Sequence, residues 1–250
     1  MILSDFHMHT TFCDGTDTPE EMVLTAIDKG MTDIGISIHS YTFFDESCCS
    51  KEENVSKFVE TMNGLKHKYA DKIGILCGVE QDYYSTCATD MFDYVIGSVH
   101  YLKSGDKYYP LDLSAAELKN MVETVYGGDF YLMAEDYYNT LSDVVEKTGA
   151  DIIGHLDLIT KFNEEEKLFD IKNKRYFTAA KKCIDKLITY GIPFEINTGA
   201  ISRGYRTTPY PDTELIDYIK QKGGRLILSS DAHSANGILH NFEKFEHLIK

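Results

Sequence analysis

The residues best suited to chemistry stand near the start of the chain: in DFHMHT, His7 and His9 lie one residue apart behind a short apolar run, and Asp14 follows. In an extended strand, residues i and i+2 project from one face, so the pair aims two imidazoles at a single point, as a metal site requires. Further candidates recur along the chain. His39 ends GISIH, Glu80 ends CGVE, His100 ends IGSVH, His155 follows DIIG, and Asp231 and His233 close LSSDAH. Imidazole and carboxylate without paired thiols suit borderline divalent ions such as zinc, manganese or iron. Nine candidate ligands exceed the needs of one ion, and a carboxylate such as Glu80 can bridge two ions through its two oxygens. Multinuclear sites of this sort clamp an attacking hydroxide and a phosphoryl oxygen together, so hydrolysis of a phosphate ester is the chemistry that fits best.

Nearly all of these residues close a short apolar or β-branched run, which says what must position them. Seven strand candidates (ILSDFHMH, DIGISIHS, IGILCGVE, DYVIGSVHYL, DIIGHLDL, IPFEINTG and GRLILSSDAH) alternate with longer amphipathic stretches. TDTPEEM reads as a helix start with Thr18 as N-cap, Pro19 first and Glu21 third, and Gly30 closes that helix. MAEDYYNTLSDVVEKTG reads as a single helix, and SGDKYYPLDLS and KFNEEEKLFDIKNK as loops. Such alternation predicts a parallel (β/α) barrel or an open doubly wound sheet. In both, the carboxyl ends of the strands form the rim where sites are built, so groups scattered in sequence should converge on one cleft. Six of the nine histidines lie at such ends, and His67, His240 and His247 do not.

A length of 250 residues suits one domain spanning 1–250, and 43% hydrophobic content describes an ordinary globular chain. With 25 Lys and Arg against 40 Asp and Glu, the net charge of -15 opposes nucleic acid and anionic membrane as partners. No basic leader with a long apolar stretch and no bilayer-length segment is present in the sequence, so a cytoplasmic location is expected. The six cysteines (Cys13, Cys48, Cys49, Cys77, Cys87 and Cys183) form no CxxC and read as reduced thiols. Cys13, near the histidine pair, reads as a small buried residue before a soft ligand.

DFHMHT, GISIHS, GVEQDY, GSVHY, GHLDLI and SSDAHS, in this order over essentially the whole chain, resemble the motifs of the polymerase and histidinol phosphatase (PHP) superfamily. The resemblance implies a distorted (β/α)7 barrel with a trinuclear metal site at the strand ends. Position by position, it implies His7, His9, Glu80 and Asp231 around one ion, Glu80, His100 and His155 around a second, and Asp14, His39 and His233 around a third. Asp17 is a nearby competitor for the place of Asp14. Length and the opening HMHTTFCDG resemble the histidinol-phosphate phosphatase branch, which implies hydrolysis of L-histidinol phosphate in histidine biosynthesis with two or three divalent ions (Zn, Mn or Fe) as cofactors. The competing readings are a PHP phosphatase for another small phosphomonoester or for phosphotyrosine protein, a noncatalytic metal-binding module, and an amidohydrolase with a similar histidine rim.

On the phosphatase reading, bound ions lower the pKa of water toward ~7, an in-line attack on phosphorus follows, and Asp231 or His233 protonates the departing alkoxide. A phosphate site in so acidic a chain needs specific cations, and Lys161, Arg203 and Arg206 follow strand ends where they would grip the substrate. The imidazole and amine of such a substrate call for an aromatic wall and a carboxylate. Tyr41, Phe43, Phe44 and Asp45 after His39, and Asp82 and Tyr83 after Glu80, are the candidates, with the 41–51 loop as a lid.

Overall fold

The computed structural model describes residues 3–45 and 52–249. Seven parallel strands form one sheet: β1 (Ser4–Asp5), β2 (Asp33–His39), β3 (Gly74–Asp82), β4 (Tyr94–Ser98), β7 (Ile152–Ile153), β8 (Phe194–Asn197) and β9 (Leu226–Ser229), in the spatial order β1-β2-β3-β4-β7-β8-β9. A parallel bridge between Met8 and Ala232, with the His9 amide 2.8 Å from the Ala232 carbonyl, joins the first segment to the last. The sheet is thereby nearly closed into a barrel, as the (β/α)7 expectation required.

Strands buried on both faces read as near-continuous apolar runs. β2 and β3 do so, with GISIH and CGVE buried almost throughout. The helical layer comprises α1 (Pro19–Asp28), α2 (Glu52–Lys68), α3 (Ala115–Tyr126), α4 (Phe130–Leu141), α5 (Val144–Thr148), α6 (Asn163–Glu166), α7 (Lys174–Ile188), α8 (Gly199–Ser202), α9 (Thr213–Gln221) and α10 (Phe242–Phe245). α1 carries the expected capping box: Thr18 Oγ1 accepts from the Glu21 amide while Glu21 Oε2 accepts from the Thr18 amide. The buried side of α7 is Tyr176, Ala180, Cys183, Ile184 and Leu187, a helical-period stripe that packs on the barrel.

One aromatic residue crosses the barrel floor. Tyr94 on β4 lies over Gly78 of β3 and Gly35 of β2 and donates a 2.6 Å hydrogen bond to the Phe6 carbonyl just before the histidine pair. A Cβ on Gly78 would stand 2.1 Å from the Tyr94 ring and one on Gly35 2.5 Å from its hydroxyl, so only glycine fits at either position.

The element boundaries depart from the sequence expectation at several places. Among the described residues of ILSDFHMH, regular strand covers Ser4–Asp5, because Asp5 Oδ1 takes the Ser230 amide (3.1 Å) and the chain then bridges two neighbours to close the barrel. DYVIGSVHYL breaks at His100, whose amide donates to Asp82 Oδ2 (3.0 Å) instead of continuing the ladder. Its second half and the expected loop SGDKYYP form an antiparallel hairpin, β5 (Tyr101–Ser104) with β6 (Lys107–Pro110), turning at Gly105 with φ +60. MAEDYYNTLSDVVEKTG belongs to two helices, α4 capped by Asp129 and α5 ended by Gly149, while Asn163 in the second expected loop opens the short α6. Cys13, Cys77, Cys87 and Cys183 are free thiols. Cys48 and Cys49, and residues 46–51 of the expected lid, lie outside the described residues. Among the described residues, no helix is long and apolar enough to cross a membrane.

Candidate metal centre

Glu80, near the end of β3 and 1% exposed, is the hub of the strand-end residues. Its Oε2 lies 3.2 Å from His7 Nε2, 3.3 Å from His9 Nε2 and 3.0 Å from His39 Nδ1. Its Oε1 lies 2.8 Å from His155 Nε2 and 3.2 Å from His100 Nε2, and takes the Ser98 hydroxyl at 2.7 Å. The one carboxylate thus touches imidazoles delivered by the β1, β2, β4 and β7 ends. Asp231 Oδ1, after β9, completes one side at 3.5 Å from His9 Nε2 and 3.8 Å from His7 Nε2. Asp231 adopts φ +48, a left-handed backbone that folds its carboxylate back over the rim.

The third group stands nearer the mouth. Asp14 Oδ1 is 3.4 Å from His39 Nε2 and its Oδ2 3.3 Å from His233 Nε2, with side chains of Asp14 and His233 31% and 23% exposed. Asp17 is elsewhere: its carboxylate accepts the Ala235 amide at 2.7 Å and pins the loop. Cys13 Sγ lies 3.6 Å from His9 Nδ1, and burial, with Asp14 beside it, pushes the thiol up to about 12. It is a half-buried neighbour of the histidine.

Electrostatics within the nest follow from packing opposite charges away from water. Burial opposes ionisation of Glu80, yet His7, His100 and His39 outweigh it and hold the carboxyl well below its usual range. Burial likewise opposes ionisation of Asp231, which Arg203 and His7 hold low. His9 is lowered by burial and by His39 and His233. His7 Nε2 and His9 Nε2 stand 3.1 Å apart, both facing the same two carboxylates. Lone-pair-bearing nitrogens and carboxylate oxygens aimed at common points are the donor set that divalent cations take. Subsets within 4.8 Å of one another include His7, His9 and Glu80, then His39, Glu80 and His100, and His9, His39 and His233. The residues fit divalent ions.

A family model for the PHP domain matches residues 5–199. The chain belongs to the PHP domain family. It is 26% identical to the histidinol-phosphatase of Bacillus subtilis over 96% of this chain and 97% of that one. Among solved structures, a HisK protein of Listeria monocytogenes superposes with TM-score 0.82 at 20% identity, covering 97% of this chain and 99% of that one. The histidinol phosphate phosphatase of Lactococcus lactis, solved with zinc, L-histidinol and phosphate, gives TM-score 0.70 at 23% identity over 98% of this chain and 92% of that one. At these identities the two structures establish the barrel.

Above the nest, the PHP domain opens into a cleft of about 220 Å³ lined by Asp14, His39, Glu80, His100, His155, Asp231 and His233 together with Lys161, Arg203, Asp112, Tyr101 and Tyr205. His7 and His9 lie fully buried beneath. Lys161 Nζ donates to the Asp112 carbonyl (2.8 Å) and carboxylate (3.2 Å) and sits 4.9 Å over the Tyr205 ring. Arg203 reaches Asp231 Oδ2 at 3.2 Å and His233 Nδ1 at 2.7 Å. Gly199 at the start of α8 lets this turn approach, since a Cβ there would meet Asp231 Oδ2 at 2.7 Å.

Arg206, expected beside them, is placed differently. It is 6% exposed and absent from the cleft lining, and its guanidinium donates to Thr160 Oγ1, Thr208 Oγ1 (3.1 Å) and the Pro209 carbonyl (3.4 Å) over the Tyr210 ring. Its fork is spent on holding the loop. Phe44 stacks on Tyr108 of the hairpin, Asp45 accepts from the Tyr101 hydroxyl (2.8 Å), and Asp82 lines the cleft with its Oδ2 3.3 Å from His100 Nδ1. The cleft and nest residues that escaped sequence reading include Tyr101, Asp112, Tyr205 and Glu195, the last 2.8 Å from His7 Nδ1. For Glu195 a signal existed, because Glu195 and Asn197 in FEIN repeat the i, i+2 spacing of His7 and His9 at a strand end.

Proposed function

We propose that this chain is a metal-dependent phosphomonoesterase that hydrolyses L-histidinol phosphate to L-histidinol and inorganic phosphate. The observation that carries the reading is the placement of Lys161 and Arg203 over the mouth of a nest in which Glu80 meets five imidazoles. Cations for a phosphate and donors for divalent ions share one cleft. The histidinol-phosphatase of Bacillus subtilis, matching over nearly the full length of both chains, and the Lactococcus lactis structure with L-histidinol and phosphate support the choice of ester.

Two or three ions, zinc, manganese or iron, would be held by His7, His9, Glu80 and Asp231, by Glu80, His100 and His155, and by Asp14, His39 and His233. When bound, divalent ions supply Lewis acidity toward a phosphoryl oxygen and a water-derived nucleophile near neutral pH. The chain's own part is positional and electrostatic. Arg203 offers a planar fork and Lys161 a point charge to the phosphoryl oxygens, orienting the ester bond across the nest. His7 and His9 are fully buried in the floor, which keeps competing water from the ligand nitrogens. Asp231 and His233 border the side of the cleft where Arg203 sits, beside the place of the leaving alkoxide.

Phosphate release from L-histidinol phosphate, measured beside a panel of other phosphomonoesters with elemental analysis of the same preparation, tests the reading. A far higher kcat/KM for the histidinol ester, abolished by chelation, is expected. Equal rates across the panel would discard the histidinol assignment, and no release from a metal-filled protein would discard hydrolysis.

A further inference from the structure

β8 is the strand of the barrel whose end carries none of the nine candidate ligands, yet its inward side chains reach under three of them. Glu195 is fully buried, as is His7, whose Nδ1 lies 2.8 Å from Glu195 Oε1. Glu195 Oε2 takes two further donors, the His155 amide at 3.1 Å and Asn197 Nδ2 at 3.3 Å. Asn197 Nδ2 also lies 3.3 Å from Asp231 Oδ2. The opposite ring nitrogen of His7 faces Glu80 Oε2 and Asp231 Oδ1.

We propose that Glu195 is a positioning residue: it fixes His7 in the tautomer protonated at Nδ1, so that the Nε2 lone pair faces the nest, and sets the height of His155 through its backbone. This rests on the reading of His7 as a metal ligand. A neutral imidazole carries one proton, and an acceptor-only group at Nδ1 draws it there, leaving Nε2 free and more basic. A buried carboxylate is an expensive way to pack a barrel unless donors meet it, and Glu195 meets three. Here each donor belongs to, or leads to, a residue of the nest. His100 shares this arrangement, with Asp82 at Nδ1, whereas among the described residues His9 Nδ1 has the Cys13 sulfur at 3.6 Å and His155 Nδ1 has no hydrogen-bond partner.

Glu195→Gln is the informative change because it keeps shape and breaks the arithmetic of donors. One amide oxygen cannot serve both sides: if it stays with His155 and Asn197, the NH2 group faces His7 Nδ1 and forces the proton to Nε2. The experiment is titration of Zn2+ into the metal-free full chain against a competing chelator, for wild type, Glu195→Gln, His7→Ala and the double variant. The expected result is Zn2+ binding weakened about 10- to 100-fold at one ion by Glu195→Gln, weakened at the same ion by His7→Ala, and no further loss when the two are combined.

Wild-type affinity in Glu195→Gln beside weakened binding in His7→Ala would overturn the proposal, as would the same additional loss in both backgrounds. Wild-type affinity in His7→Ala would instead overturn the ligand reading beneath it. Should Glu195→Gln fail to fold, 15N spectra of the wild-type chain decide: a proton on Nδ1 of His7 is expected, and a proton on Nε2 overturns the proposal.

Discussion

The floor and the wall of the cleft are built by different means. On the floor, His7, His9, Glu80 and His155 are at most 3% exposed and issue from ends of strands held in register by the barrel. On the wall, Lys161 and Arg203 issue from turns after β7 and β8, keep partial exposure, and rest on Asp112, Tyr205 and Asp231. A ligand nest tolerates displacement of only a fraction of an ångström, whereas a phosphate is gripped by long cationic side chains that tolerate more. The difference teaches where each task belongs: bond-making geometry on rigid elements, substrate capture on loops.

The sharpest test of this division is Glu80→Gln. The carboxylate meets five imidazoles, so its removal should release bound metal and lower kcat/KM by ~10³-fold or more, near 4 kcal/mol, with the circular dichroism spectrum retained. A metal content equal to wild type would break the floor's claim to be a metal site. Next in size is chelation. Ions that bind only the folded chain stabilise it by RT ln(1 + [L]/Kd), so stripping them at 100 to 1,000 times Kd should remove ~3–4 kcal/mol, read as a drop in Tm that added Zn2+ reverses.

The wall should respond more weakly and in KM as well as kcat. Arg203→Ala is expected to reduce kcat/KM by ~10²-fold while metal content holds, because Asp231 keeps its histidine contacts. Loss of metal in that variant would show that floor and wall are not separable. Arg206→Ala supplies the smallest catalytic effect from the same loop. Its guanidinium is buried among Thr160, Thr208 and Tyr210, so the fold should lose ~2–3 kcal/mol in denaturant unfolding while kcat/KM changes only a few-fold. A hundredfold loss of activity at unchanged stability would return Arg206 to the cleft.

The alternation of strands with helices and the rim were legible from DFHMHT, GISIH, CGVE and SSDAH because periodicity and strand-end position are local properties. The different placement of Arg203 and Arg206, both expected at the substrate, was not. Three residues apart in one loop, they carry the same charge, and only the packing of α8 against Asp231 and of Arg206 against Tyr210 separates them. Asp82 does line the cleft as its position predicts, and what its position did not reveal is that it also holds His100, at Nδ1 and at the amide freed by the strand break.

Sequence alone determined the alternation of apolar strands with amphipathic helices and the chemistry available at the strand ends, since both depend on residue type at short spacing. Tertiary structure alone decided that β8 contributes Glu195 from beneath and that a hairpin after His100 borders the cleft. These depend on where barrel closure brings residues as far apart as His7 and Glu195, and no local pattern encodes a distance across a closed sheet.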